Sequence, residues 1–320
     1  MINISFESFL DKLENYYPHI SEVNIEASYG KRQVSGIEND SRKVREGHIF
    51  VAVRGYKIDG HQFIDSAIEK GALAVFIEDE SYISSKQSSA YSVPIITFTN
   101  TRHALAVSAR ILFDNPSGKL KLIGITGTNG KTTITYMLRS ILQNANKKVG
   151  LVGTICNYIN DQKIKSPVTT PDSLELNKLF QDMITQGVGY VVMEVSSHAL
   201  YLDRVAGLDF DAVIFTNLSA DHLDFHRTMD EYLAVKLRIL DVLAESRKKS
   251  SLAVINGDLE ITDAFVNKAE RLNLDYVTYG LKGENTFQAS NIKYSLSESR
   301  FTVCSGENKM DVLLAMPGGF

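Results

Sequence analysis

The ten residues Gly124-Ile125-Thr126-Gly127-Thr128-Asn129-Gly130-Lys131-Thr132-Thr133 leave this chain few folds to choose from. The apolar run Leu120 to Ile125 predicts a buried strand. Ile134, Met137, Leu138, Ile141 and Leu142 recur at helical spacing and predict a helix behind the turn. Strand, glycine-rich turn and helix make a phosphate cradle: backbone N–H groups point at phosphate oxygens and the positive helix end adds to the attraction. Lys131 is placed to reach the β- and γ-phosphates, and the Thr132 hydroxyl to ligate Mg²⁺. The glycines fall at 124, 127 and 130, and Ile125 stands where the commonest phosphate loop has glycine, so this is a shorter-spaced variant. Gly127, Thr128, Asn129, Gly130, Lys131, Thr132 and Thr133 are the expected ATP-binding residues.

A chain of 320 residues has room for two domains, each with a large core. Its net charge of −4 argues against a general nucleic-acid binder, which carries a clustered basic surface. Cys156 and Cys304 lie far apart with no CxxC, which fits a reducing compartment and no zinc framework. Met1 to Leu13 has no basic segment followed by an apolar one, and no stretch approaches a membrane span. A cytoplasmic protein without a membrane span is expected.

The fold class expected is α/β: a small N-terminal α/β domain, then a central phosphate-loop domain with a doubly wound, mostly parallel sheet. Strands at Ile49 to Val53, Ala72 to Ile77 and Val93 to Phe98 alternate with helices through Phe63 to Ile68 and Thr101 to Phe113. Glu80 to Ser92 is serine-rich and reads as a loop. Asp114-Asn115-Pro116-Ser117-Gly118 is the best linker, so the domains are set at 1–115 and 116–320. In the second, strands end at Ile125, Glu194 and Thr216. The carboxyl ends of parallel strands share one edge, so Thr126, Glu194 and Asn217 should meet there. Thr228 and Glu231 form a capping box that starts a helix carrying Lys236. Beyond residue 275 the pattern is all strands.

Glu194, closing an apolar strand, suits a carboxylate that holds Mg²⁺ opposite Thr132; an acidic residue leaving a strand for solvent is the plainer alternative. Asn217 to His226 packs two histidines and two aspartates. His222 and His226 lack the Glu of a zinc HExxH pattern, leaving a second Mg²⁺ site, a nucleotide contact or a polar helix cap. Lys236 sits on a mainly apolar helix. By residue type it either reaches solvent along its stem, the better reading, or is buried with a shifted pKa.

Together these pieces resemble the Mur ligases, ATP-dependent amide-bond synthetases of peptidoglycan assembly. The carriers are Gly127-Thr128-Asn129-Gly130-Lys131-Thr132-Thr133 and Thr216-Asn217-Leu218-Ser219-Ala220-Asp221-His222-Leu223-Asp224-Phe225-His226, with Lys236 ten residues on. Asp40-Ser41-Arg42, Thr169-Thr170-Pro171, and Glu194 to Leu200 with Arg204 resemble the members that extend UDP-N-acetylmuramoyl-L-Ala-D-Glu by the third amino acid, meso-diaminopimelate or L-lysine. The resemblance implies an acyl phosphate formed from ATP on the D-Glu carboxylate and then attacked by the amine of a diamino acid. It implies Lys131, Glu194, Asn217, His222 and Lys236 as catalytic, and Thr132, Glu194 and His222 as metal ligands. ATP and Mg²⁺ are the implied cofactors. It also implies a buried, carbamylated Lys236, reversing the reading by residue type. The UDP-sugar dipeptide would be held by Asn39, Ser41, Tyr56, Lys57, Ile58, Thr169, Thr170, Ser196, Leu202 and Arg204. A monomer is expected. Family members continue past Pro317-Gly318-Gly319-Phe320 into a C-terminal Rossmann-like domain that selects the amino acid. The chain is therefore expected to be a piece lacking that domain, which binds substrates and turns over poorly. Another ligase of the superfamily, such as a folylpolyglutamate synthase, and a non-catalytic nucleotide-binding module are the competing readings.

Overall fold

The structure, a computed structural model, describes residues 3–22, 26–55, 58–78, 81, 92–221 and 225–316. The loop expected from Glu80 to Ser92 lies almost wholly outside them. The chain divides into two compact units. The first is Met1–Pro116 with Pro171–Asp182 and Leu202–Leu208; the second is Ser117–Thr170, Met183–Tyr201 and Asp209–Phe320. Two short segments beyond the 115/116 boundary expected from the sequence thus belong by contact to the first unit.

The first unit is built on a four-stranded parallel sheet, in the order Gly36–Glu38, His48–Val51, Ala74–Ile77, Ile95–Thr97. Ala74–Ile77 is buried at every residue, as a strand covered on both faces must be. Helix Phe6–Glu14 buries Phe6, Phe9, Leu10 and Leu13, one face at helical spacing, and the Ser5 hydroxyl caps its start. Helix Thr101–Leu112 starts at Asn100, whose Oδ1 accepts from the N–H groups of Arg102 and His103 at 3.0 and 3.1 Å.

The second unit is built on an 11-stranded sheet. Its order is Gln162–Ile164, Asn157–Ile159, Val149–Val152, Tyr190–Glu194, Lys121–Thr126, Ala212–Phe215, Leu252–Asn256, Asp275–Gly280, Phe287–Tyr294, Ser299–Ser305, Asn308–Leu314. The strands from Val149–Val152 through Phe287–Tyr294 are mutually parallel, and both flanks are antiparallel. The phosphate-loop strand Lys121–Thr126 lies at the switch point, with Tyr190–Glu194 on one side and Ala212–Phe215 on the other. Ile134, Leu138 and Leu142 of helix Lys131–Asn144 pack on Ile125, Val149 and Val192 of the sheet. On helix Thr262–Arg271, Phe265 stacks on Phe215 at 3.7 Å. Among the described residues no helix is long and apolar enough to cross a membrane.

Helix Met229–Ala244 carries Lys236, and its start is fixed by the capping residues named from the sequence. Thr228 Oγ1 accepts from Glu231 N–H at 3.1 Å, and Glu231 Oε2 accepts from Arg227 N–H at 3.0 Å. A Thr228→Ala change is expected to destabilise the protein by about 1 kcal/mol. Urea titration would show it as a lower midpoint at unchanged slope. An unmoved midpoint would mean that this end of the helix is frayed in solution.

Candidate active site at the phosphate loop

The loop is locked from the neighbouring strand. Thr216 Oγ1 donates to the Asn129 carbonyl at 2.6 Å, Asn217 Oδ1 accepts from Asn129 N–H at 2.9 Å, and the Asn217 carbonyl accepts from Thr128 N–H at 2.9 Å. Thr128 Oγ1 receives Ser219 N–H at 3.0 Å and lies 3.3 Å from the Tyr232 hydroxyl. Gly127 has φ +145°, and a Cβ there would sit 1.9 Å from Thr216 Oγ1. No side chain fits that approach, so the residue types at 127 and 216 are coupled.

Lys131 opens the helix, and its Nζ donates to the carbonyls of Gly127 and Thr128 at 2.8 and 2.7 Å. Burial pushes its pKa down, opposed by the negative charges of Glu194 and Asp221. Thr132 Oγ1 donates to Glu194 Oε2 at 2.9 Å. Glu194 is 1% exposed, closes its strand opposite Ile125, and also receives the N–H and hydroxyl of Thr154, each at 3.0 Å. A carboxylate leaving its strand for solvent is therefore excluded.

Lys236 is also 1% exposed, so it does not reach solvent. Its Nζ donates to Thr126 Oγ1 at 3.2 Å and to the Gly127 carbonyl at 2.9 Å, the carbonyl that Lys131 also uses. Tyr232, one helical turn earlier, presents its ring 5.3 Å from that ammonium. Burial, then the positive charge of Lys131, push the Lys236 pKa well below its ordinary value, with Asp221 opposing. Two lysines sharing one carbonyl suit a polyanion, which relieves their repulsion.

Around these groups lies a cavity of about 310 Å³ lined by the loop from Thr128 to Thr133, Thr154, Thr169, Glu194, Ser196, Ser197, Tyr232 and Lys236. All of it belongs to the second unit. Thr126, Glu194 and Asn217 do meet at one sheet edge. Thr169 and Ser196 line the cavity. Thr170 is buried, donates to the Glu194 carbonyl at 2.8 Å and accepts Ser196 N–H at 3.1 Å, so it sets the loop's path. Asn39, Ser41, Ile58, Leu202 and Arg204 are in the first unit. Ser41 is buried, its carbonyl receiving Lys70 Nζ at 2.8 Å, and Ile58 is 60% exposed. Arg42 grips Asp40 at 2.8 Å and holds that carboxyl at about 2. Tyr56, Lys57 and His222 lie outside the described residues. Sequence reading missed Thr154 and Tyr232. The first lies two residues past the end of the strand beside Tyr190–Glu194, and the second stands four residues before Lys236, so strand order and helical spacing were the available signals.

Among the described residues no three His, Cys, Asp or Glu side chains gather to hold a metal. Mg²⁺ does not require that. It takes one or two protein oxygens and completes its octahedron with phosphate oxygens and water. The Thr132 hydroxyl facing the Glu194 carboxylate beside the phosphate loop fits that donor set.

The switch-point strand, the loop and the Thr132–Glu194 pair define a phosphate-loop α/β protein joined to a second α/β unit. Residues 125–320 match the family model for the Mur ligase middle domain, and residues 33–111 that for the Mur ligase family catalytic domain. The chain belongs to the Mur ligase family. It is similar to the UDP-N-acetylmuramoyl-L-alanyl-D-glutamate–2,6-diaminopimelate ligase of Clostridium tetani, 44% identical over 93% of this chain and 59% of that protein. The enzyme of that name from Listeria monocytogenes is 39% identical over 90% of this chain and 57% of its own length. A solved structure of such a ligase superposes with TM-score 0.79 at 28% identity, covering 97% of this chain and 59% of that one. MurF from Acinetobacter baumannii shares the fold, with TM-score 0.59 at 16% identity. The chain thus spans less than two thirds of the length of these relatives.

Proposed function

We propose that this chain supplies the nucleotide and UDP-sugar binding parts of an ATP-dependent ligase that adds the third amino acid to UDP-N-acetylmuramoyl-L-Ala-D-Glu in the cytoplasm. The observation that carries the reading is the cavity where Lys131, Thr132, Glu194 and Lys236 converge on one phosphate loop. The activity named for its relatives points the same way.

In this reading a carboxylate oxygen of D-Glu attacks the γ-phosphorus of ATP, and ADP leaves. The amine of a diamino acid, meso-diaminopimelate or L-lysine, then attacks the acyl carbon. Phosphate leaves, and the ammonium proton passes to base. Both steps gather negative charge on oxygen, so neutralisation matters more than covalent help. Lys131 releases its two loop carbonyls and turns to the phosphates. Asn129 and Thr128, held by Asn217, keep the loop N–H groups aimed. Thr132 and Glu194, with His222, would hold Mg²⁺, which supplies charge neutralisation on the phosphoryl oxygens. Lys236, favoured as the neutral amine by burial, is the form able to add CO₂, and its carbamate would turn a crowding cation into an anion beside Lys131. Asn39, Ser41, Tyr56, Lys57, Ile58, Leu202 and Arg204 of the first unit, with Thr169, Thr170 and Ser196, are assigned to the UDP-sugar dipeptide. Choice of the amine is assigned to the part of the relatives' length outside the matched region.

Calorimetric titration with UDP-N-acetylmuramoyl-L-Ala-D-Glu tests the assignment. Arg204→Ala is expected to weaken binding at least tenfold, the range of one charge-assisted hydrogen bond, and Ser41→Ala severalfold. Binding of ATP without any binding of the sugar nucleotide would leave a nucleotide module and overturn the substrate assignment.

A further inference from the structure

The Glu194 carboxylate is positioned by a residue two places beyond the strand Val149–Val152. Thr154 gives it two donors: the N–H to Oε1 and the hydroxyl to Oε2, both at 3.0 Å. The preceding Gly153 lets the main chain come this close, because a Cβ there would lie 2.4 Å from Oε1. Main chain at 153 and 154 therefore sits directly against the carboxylate and sets its plane. Thr154 Oγ1 is also 3.0 Å from Thr169 Oγ1. A hydroxyl carries one proton. That of Thr154 goes to the carboxylate, the stronger acceptor. Thr169 must then be the donor in its pair with Thr154. The result is one directed chain: Thr169 O–H to Thr154 Oγ1, and Thr154 O–H to Glu194 Oε2.

We propose that Thr154 is the positioning residue for the cation-holding carboxylate, and that it connects this carboxylate to the loop carrying Thr169. This rests on the nucleotide reading of the site and deepens it. Thr132 can offer a lone pair to a cation while its proton stays on Glu194. Thr154 adds two further donors to the same carboxylate and binds it to the main chain at 154. A ligand that donates to Thr169 Oγ1 reinforces the chain. One that accepts from Thr169 frees its oxygen to take the Thr154 proton away from Glu194. The chemistry of whatever meets Thr169 is thereby felt at the cation.

The test measures Mn²⁺ affinity of the ATP-bound protein by electron paramagnetic resonance. Thr154→Val is expected to weaken Mn²⁺ about tenfold, the low end for a residue that orients a metal ligand, while Thr154→Ser stays within about twofold of the parent. ATP affinity in EDTA should not move. Thr169→Val should weaken Mn²⁺ about threefold in the parent, the size of one neutral hydrogen bond, and have no effect in the Thr154→Val background. Equal Mn²⁺ affinity in parent and Thr154→Val overturns the positioning role, as does a parallel loss of ATP affinity in EDTA. Additive effects of the two valines overturn the connection to Thr169. Failure of the parent itself to bind Mn²⁺ with ATP overturns the nucleotide reading, and this inference with it.

Discussion

A Lys131→Ala variant is expected to fold like the parent and to bind Mg²⁺-ATP about 100-fold more weakly, from the loss of charge-assisted contacts to phosphate. Fold should survive because Lys131 is not a core residue. Among the described residues its Nζ donates to the Gly127 and Thr128 carbonyls, and the loop is held independently by Thr216 and Asn217. Removal also relieves a desolvated cation and the repulsion it exerts on Lys236. Arginine should not rescue, because its planar fork cannot enter where a single ammonium bridges two adjacent carbonyls. Calorimetry measures the affinity and urea titration the fold. A variant that binds ATP like the parent would remove Lys131 from phosphate recognition.

The sequence made some of this legible because the signals were local. Glycine spacing followed by Lys131-Thr132 fixes a strand, a turn and a helix within a few residues, and Thr228 with Glu231 fixes a helix start the same way. Placing Glu194 opposite Thr132 required only that two apolar strands be parallel neighbours. What stayed illegible was either weakly patterned or non-local. The hairpin Asn157–Ile159 with Gln162–Ile164 has strands of three residues with polar Gln162 and Lys163 in them, too short for an alternation to register. Helix Thr262–Arg271 buries only Phe265 and Ala269, so its period is nearly silent. Lys236 shows the limit of residue type: a lysine among apolar neighbours reads as reaching for water. Only tertiary structure reveals that Thr126 and Gly127, more than a hundred positions earlier, wait for its ammonium inside. The return of Pro171–Asp182 and Leu202–Leu208 to the first unit is likewise a matter of long-range packing that no linker signature announces.

Lys236 gives the second large expectation, a stability that climbs with pH and loses much of that climb on substitution by methionine. In the unfolded chain this lysine takes its proton at the ordinary value near 10.5; in the folded chain burial and Lys131 delay protonation to well below that. Between the two values the unfolded state binds more protons. Stability therefore rises with pH across that window, by up to about 1.4 kcal/mol per pH unit for one proton. The contribution is fully present above 10.5 and is lost as pH falls through the lowered folded value. Lys131 is shifted in the same direction, so Lys236→Met should flatten the profile without erasing it. On the acid side the variant should be more stable than the parent, because a neutral chain of similar length replaces a buried cation. Urea unfolding at a series of pH values measures both slopes, and equal slopes would mean that the folded protein protonates Lys236 as freely as the unfolded chain does. Bicarbonate sharpens the comparison. The neutral amine that makes stability rise is also the form that adds CO₂, and a ligand that reacts only with the folded state stabilises it by mass action. Within the window, bicarbonate should raise the parent's unfolding midpoint and leave that of Lys236→Met where it was. A midpoint indifferent to bicarbonate in both proteins would separate burial of Lys236 from its modification, keeping the first and discarding the second.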